Sequence, residues 1–577
     1  MNHKSKKSLP LHKKMKLTDY IVEFLATHGV EYMFVFTGGA IAHFLDSVFT
    51  RNLQHGDIKP VCVMHEQAGS MALDGYTRAT GKIGAMAVTS GPGATNLLTG
   101  IACSYYDSIP GIYFTGQVRT WELCQSKQRQ IGFQETDIVS IAKPITKYAV
   151  TITDPATVRY EIEKALFLAQ SGRPGPVLID LPMNIQWAEI NPSKLKSYKP
   201  EQKPPESHES INKKIDLLVK WLQQSKRPII IGGGGVRNAG ATNELLNLAR
   251  LSHIPVAVTF NGVDTIVHDN PLYSGVIGTM GNRGTNTSIK ESDLVLAIGT
   301  RLSLRQVKSK PKEFVSQGKL IHVDIDPNEL NQLVPTDLSF ACDAKEFLIL
   351  LINRIKKAGC PKFLDWAKQT RKNFEDNPFC KPEYYSQKKS VNPYVFMKTL
   401  SEQMDDDDIL IADAGQNVMW AMQAVEVRAK QRLFTAGAHS PMGYSLPAAI
   451  GVAAYCKDSR HVICTIGDGG VQLNIQELQT IFSYKLPVKI FVMNNHSYGA
   501  IVDFQDANLG KRHFASSTKY GYTIPDLLAI ARAYKIPAIE INSQRGLAKK
   551  IKSVLNSKGP IFCNVDMGSR TYVTLDV

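Results

Sequence analysis

The chain has 577 residues, 43% apolar and 21% charged, the balance of a globular protein with more than one core; with no apolar run near the roughly 18 residues of a span, the expectation is no membrane. The formal net charge is +15, but six lysines and no acid crowd the first sixteen residues, so residues 1–15 read as a solvated basic tail and, with no nucleic-acid module in view, the expectation is no nucleic acid. Nine cysteines form no Cys-x-x-Cys pair, which argues against a zinc site or disulfide framework and, with neither signal peptide nor arginine-rich leader in front, favours a reducing cytoplasm.

Beyond the tail, three stretches alternate β-branched apolar runs with amphipathic ones, the pattern of doubly wound parallel sheets. In the first, 16–190, strands are expected at Tyr32–Phe36, Val61–Met64, Gly84–Thr89, Ile112–Thr115 and Pro176–Asp180. Residues 191–210, rich in Pro, Lys, Glu and Ser, read as a linker. In the second, 211–355, strands are expected at Pro228–Ile231, Val256–Thr259, Leu294–Ile298 and Leu320–Asp324. The polar residues 356–391 read as another linker. In the third, 392–577, the strands are Ile409–Ala412, His461–Ile466, Val488–Asn494 and Pro560–Val565, and the acidic run Asp405–Asp408 reads as a solvated loop. The expected fold class is α/β, with three doubly wound parallel-sheet domains.

The strongest chemical signal lies in the third stretch. A strand ends in Gly467-Asp468-Gly469-Gly470; Ile475, Leu478, Ile481 and Phe482 follow at helical spacing; the next strand ends in Asn494-Asn495. Ligands bind at the carboxyl ends of parallel strands, so the acid and the amide face one crevice. A diphosphate needs a hard cation, and Mg²⁺ takes oxygen ligands at about 2.0–2.1 Å. Asp468 offers a charged oxygen and Asn495 a neutral one, while the glycines admit the phosphates to the backbone. In the first stretch, Met64-His65-Glu66-Gln67 follows a strand, and Ser90-Gly91-Pro92-Gly93-Ala94-Thr95-Asn96 comes later. Taken alone, Glu66 reads equally as a first-turn helix acid.

From about residue 16 to its end the chain resembles the acetohydroxyacid synthase (acetolactate synthase) branch of the thiamine-diphosphate enzymes. The shared stretches are Thr37–Ile41, His65–Gln67, Gly91–Asn96, Phe114–Gln117, Phe133–Glu135, Ser171–Pro176, Gly415-Gln416, Met442–Tyr444 and Gly467–Asn495. The resemblance implies thiamine diphosphate, with Glu66 on its aminopyrimidine ring to promote ylid formation, and Gly39 and Gln134 beside the reaction. It implies Asp468, Asn495 and the backbone carbonyl of Ser497 as Mg²⁺ ligands. Gly415, Gln416 and Asn417 match the diphosphate loop, where the family has His for Asn417. Met442 matches the residue that keeps the coenzyme bent, and Pro92, Asn96, Ser440, Gly467, Gly469, Gly470 and Tyr498 match further coenzyme contacts. Phe133, Met183, Ala500 and Phe504 fall in the substrate pocket.

The middle stretch resembles that family's flavin-binding domain. This implies a non-redox FAD held by Arg173, Gly233, Gly234, Gly278, Thr279, Arg301, Arg305, Asp324 and Asp343, a set of glycine turns, arginines and acids of which the first two suit phosphates. The implied reaction is a transferase step: pyruvate or a similar 2-oxo acid is decarboxylated and its two-carbon acyl-anion equivalent passes to a second 2-oxo acid. The implied assembly is a homodimer or homotetramer with active sites between subunits, and it leaves room for a regulatory subunit. Departures fall in the substrate pocket. Ala500 and Phe504 replace Met and Trp, Met183 replaces Lys, Phe36-Thr37 replaces Tyr-Pro, and the loop Arg119–Ile131 is long. These changes leave open another acceptor such as a keto sugar, a simple decarboxylase or lyase, or a non-catalytic paralogue.

Overall fold

Three six-stranded sheets, parallel throughout, follow one another along the chain. The structure is a computed structural model, and it describes residues 14–124, 128–200, 208–456, 459–568 and 573. The first sheet comprises β1 (Tyr32–Val35), β2 (Lys59–Cys62), β3 (Gly84–Val88), β4 (Gly111–Gln117), β5 (Tyr148–Thr151) and β6 (Pro176–Pro182), in the order 2-1-3-4-6-5. The second comprises β7 (Pro228–Gly232), β8 (Val256–Val258), β9 (Tyr273–Val276), β10 (Leu294–Ile298), β11 (Lys319–Asp324) and β12 (Leu338–Ala341), in the order 9-8-7-10-11-12. The third comprises β13 (Ile409–Ala412), β14 (Arg432–Phe434), β15 (Val462–Gly467), β16 (Val488–Asn494), β17 (Ala538–Ile541) and β18 (Ile561–Asp566), in the order 14-13-15-16-18-17. The outer domains therefore share one topology. Counted from its own first strand, the middle domain has the order 3-2-1-4-5-6, that of dinucleotide-binding sheets.

The central strands are near-continuous apolar runs because both faces are covered; β10 and β16 are buried along their whole length. The hydrophobic pattern misses five strands, β5, β9, β12, β14 and β17, and each lies at a sheet edge. Residues 356–391 are more than a linker: they carry the helix Leu364–Glu375, whose narrow apolar seam buries Trp366, Ala367 and Thr370. The helix at the end of the first linker begins at His208. Met15, assigned to the tail, pairs with Ile190 in a short antiparallel ribbon; residues 1–13 lie outside the described residues. The acidic run is only partly solvated, since Asp408 is buried and its carboxylate binds the N–H and the ring of His461, both at 2.9 Å.

Helix α1 (Glu66–Thr80), whose first residue is the expected catalytic acid, crosses α2 (Ser445–Cys456) of the third domain. Small residues make the approach close: a Cβ on Gly451 would lie 1.8 Å from the Ala72 carbonyl oxygen, and one on Gly75 would lie 2.5 Å from that of Ala448. Gly451→Ala should therefore cost about 1–3 kcal/mol or more, read as a lower urea midpoint; an unchanged midpoint would contradict this crossing. At the corner where the domains meet, Asp107 accepts from Arg78 at 2.8 Å, from the Asn261 amide of the middle domain at 2.8 Å and from the Ala438 N–H of the third at 3.2 Å.

Candidate active site

The third domain builds one half of the site. β15 and β16 pair with Gly467 opposite Met493, so Asp468 and Asn494-Asn495 emerge side by side at the carboxyl ends. Asp468 opens the helix α3 (Asp468–Leu473). It is buried, its Oδ2 has no hydrogen-bond partner, and burial pushes its pKa up to about 6. Asn495 donates through Nδ2 to Gln416 Oε1 at 2.8 Å, and its Oδ1 accepts the Ser497 N–H at 3.3 Å. Gln416 also donates to Asp503 Oδ2 at 2.6 Å. Gly415, at φ 72°, and Gly467 both face open space. Gly469 and Gly470 are close-approach positions: a Cβ would lie 2.4 Å from the Tyr498 ring at the first and 2.2 Å from Asp413 Oδ2 at the second. The Tyr498 ring packs in turn on Tyr522, with centroids 4.2 Å apart.

Asn417 is buried; its Oδ1 accepts from the Asp413 N–H at 3.1 Å and from Thr465 Oγ1 at 3.2 Å, which braces the strand ends, while its Nδ2 has no hydrogen-bond partner. Ser440 lines the interdomain cavity described below. Two residues with structural claims on the site escape the sequence reading. Asp413 accepts the Gly443 N–H at 3.0 Å and the Ser445 N–H at 3.2 Å, and Asn474 donates to the Gly443 carbonyl at 2.9 Å. Together they fix the backbone that carries Met442. The only available signal was that Asp413 stands at a strand end two residues before Gly415. The amphipathic run is itself broken, with α3 followed by α4 (Glu477–Ser483), and Phe482 points outward while Leu478 and Ile481 are buried.

The first domain builds the other half. Glu66 heads α1 and is buried; its Oε2 accepts from Asn96 Nδ2 at 3.0 Å. A Cβ on Gly93 would lie 3.3 Å from Glu66 Oε1, and one on Gly91 would lie 2.9 Å from the Gln134 carbonyl oxygen. The turn Pro92–Asn96 and the preceding Gly91 thus approach both Glu66 and Gln134, while Gly39, in the 3-10 turn Gly39–Ile41, faces open space. Among the described residues no hydrogen bond joins the Glu66 group to the Asp468 group. The residues implied for the substrate pocket are open in the single chain: Phe133 is 85% exposed and Phe504 57%, while Met183 and Ala500 are half-buried.

A cavity of about 840 Å³ lies among the three domains. Arg173, Gly234, Arg301, Arg305, Asp324 and Asp343 line it. Gly233, Gly278 and Thr279 stand behind the wall instead, since Gly233 packs on the Gly299 carbonyl and Gly278 on that of Arg305. Arg173 is already paired with Asp326 and Glu329, and Asp343 caps a helix through the Lys345 and Glu346 N–H groups. Among the described residues, neither Arg301 nor Arg305 forms an ion pair. Burial raises the Asp324 pKa.

Residues 15–141 match the family described as "Thiamine pyrophosphate enzyme, N-terminal TPP binding domain", residues 215–351 its central domain and residues 413–565 its C-terminal TPP binding domain. The chain is similar over nearly its whole length to acetolactate synthase large subunits. It is 32% identical to the acetolactate synthase large subunit of Lactococcus lactis, over 98% of this chain and 95% of that one. It is 35% identical to the probable acetolactate synthase large subunit of Methanocaldococcus jannaschii, over 96% and 92%. To the acetolactate synthase large subunit of Porphyra purpurea it is 33% identical, over 96% and 92%.

Proposed function

Because the chain belongs to the thiamine pyrophosphate enzyme family, we propose that it is a carboligase of acetolactate synthase type. As a transferase it would take pyruvate or a similar 2-oxo acid, release CO₂, and join the remaining two-carbon fragment to the carbonyl carbon of a second 2-oxo acid. The observation that carries this reading is the buried Asp468 carboxylate, which forms no ion pair among the described residues and whose Oδ2 lacks a well-formed hydrogen bond. An unpaired buried carboxylate is costly, and a cation in the crevice satisfies it.

The residues fit Mg²⁺ held by Asp468, Asn495 and the Ser497 carbonyl, with a diphosphate over the open Gly415 and Gly467. When bound, the coenzyme supplies the electron sink for breaking and making the carbon–carbon bonds. Glu66 would hold a proton against a ring nitrogen of the aminopyrimidine, with Asn96 fixing the carboxylate. Asp413 and Asn474 hold the backbone so that Met442 keeps its place under the coenzyme. The reading includes a homodimer or homotetramer with active sites between subunits, which the exposure of Phe133 (85%) and Phe504 (57%) in the single chain supports. The relatives' designation as large subunits supports a separate regulatory partner. The nine cysteines form no disulfide among the described residues, which supports a reducing cytoplasm.

FAD in the interdomain cavity is a further part of this proposal. The 3-2-1-4-5-6 strand order puts the crevice between β7 and β10, where Gly233 meets Gly299, and Arg301 and Arg305 offer unpaired cations for phosphates. Denaturing the purified protein should release flavin fluorescence in proportion to chain. Its absence would remove the flavin from the reading.

Labelled pyruvate, thiamine diphosphate and Mg²⁺ should give acetolactate and CO₂. No acetolactate without an added carbonyl partner would overturn the assignment of the acceptor. One observation favours that second reading: the half-buried Asp503 carboxylate lies on the helix Gly499–Asn508 with Ala500 and Phe504, and its charge opposes a second anionic substrate.

A further inference from the structure

Side chains of the third domain close the outer edge of the first sheet. β2 has one neighbour, so alternate backbone N–H groups face away from β1. Lys59 and Val63 donate inward, to the carbonyls of Glu31 at 2.8 Å and Val35 at 3.1 Å. The outward positions are Pro60, which has no N–H, Cys62 and Met64. The Cys62 N–H donates to Tyr484 Oη at 2.8 Å, and the Met64 N–H donates to Glu477 Oε1 at 3.0 Å. Every outward donor on this edge is thus accounted for, and the last one meets a carboxylate from another domain.

Glu477 is fully buried, and its second oxygen accepts from Thr480 Oγ1 at 2.6 Å. A carboxyl in such a place is costly, and burial pushes its pKa up to about 7. Its position is the notable fact. Met64 is two residues before Glu66, and Glu477 lies at the end of the segment that starts with Asp468. The break between α3 and α4 lets that segment work in two directions, with Asn474 holding the Gly443 carbonyl and also accepting the Glu477 N–H on its own carbonyl at 3.0 Å.

We propose that Glu477 is a positioning residue for Glu66: by fixing the Met64 N–H it sets the loop 63–65 and so the aim of the Glu66 carboxylate at the coenzyme. The inference rests on the thiamine-diphosphate reading above. It also means that the segment holding one coenzyme's metal steers the acid that serves another coenzyme across the subunit interface.

The test compares Glu477→Gln, Glu477→Asp and Glu477→Ala in the full chain. Two quantities are read: amide deuterium exchange at Met64 in the coenzyme-free protein, and the rate of deuterium exchange at the thiazolium C2 of bound thiamine diphosphate. Glu477→Gln keeps an acceptor at the same reach and should match the wild type in both. Glu477→Asp, one methylene short, and Glu477→Ala should lose Met64 protection and slow C2 exchange by about tenfold to a hundredfold, with coenzyme affinity nearly unchanged. A variant that loses Met64 protection but keeps the wild-type C2 rate overturns the proposal, as does Glu477→Ala with Met64 protection intact. If Glu477→Ala does not fold, Glu477→Asp decides. If the wild type itself fails to exchange C2, the thiamine reading falls and takes this inference with it.

Discussion

Glu66→Gln should lower turnover of a 2-oxo acid by about 10²–10⁴-fold, the usual worth of a positioned proton-transfer group, while leaving coenzyme affinity close to wild type. The fold should tolerate the change. Glutamine keeps an oxygen for the Asn96 amide, 3.0 Å away in the native protein, and the α1 crossing depends on residues farther along the helix. Affinity should survive because the proposed diphosphate and metal contacts lie in the third domain. Steady-state kinetics with a parallel coenzyme titration checks both halves of the prediction. Near wild-type turnover would remove Glu66 from the chemistry.

Asp468→Asn should abolish the Mg²⁺ dependence of coenzyme binding and weaken it by at least about a hundredfold, roughly 2.8 kcal/mol. Titrating thiamine diphosphate with and without Mg²⁺ reads this directly, and equal binding in the wild type under both conditions would contradict the metal assignment. The same substitution should stabilise the metal-free protein. Burial holds the Asp468 pKa at about 6, above the ordinary 3.8, so the folded state prefers the protonated form. Stability is therefore lost as pH rises from about 4 to about 6, by about 3 kcal/mol at roughly 1.36 kcal/mol per unit. Metal-free Asp468→Asn should melt above the wild type at pH 7.5, and the two curves should converge below pH 4. Metal affinity in the wild type should weaken below about pH 6 for the same reason.

The architecture was legible where burial on two faces writes a continuous apolar run. Leu294–Ile298, Ile409–Ala412 and Val488–Asn494 were read to the residue. Five of the six edge strands were not, because a strand with one neighbour needs no such run. Arg432–Phe434 and Ala538–Ile541 carry charges, and Tyr273–Val276 is interrupted by Ser and Gly. The candidate metal motif was legible because Asp468 and Asn495 follow consecutive strands of one βαβ unit. Asp413, Asn474 and Glu477 were not, since each acts on backbone distant in sequence and looks like an ordinary polar residue until the domains are packed.

Asp107 has a consequence for anyone wishing to recombine this protein with its relatives. Its two oxygens answer to a guanidinium, an amide and a main-chain N–H drawn from all three domains. A chimaera that imports a foreign middle segment without an amide at position 261 leaves Asp107 Oδ1 with the Ala438 N–H as its remaining donor. The three sheets look like interchangeable modules, but at that junction they are wired as one piece.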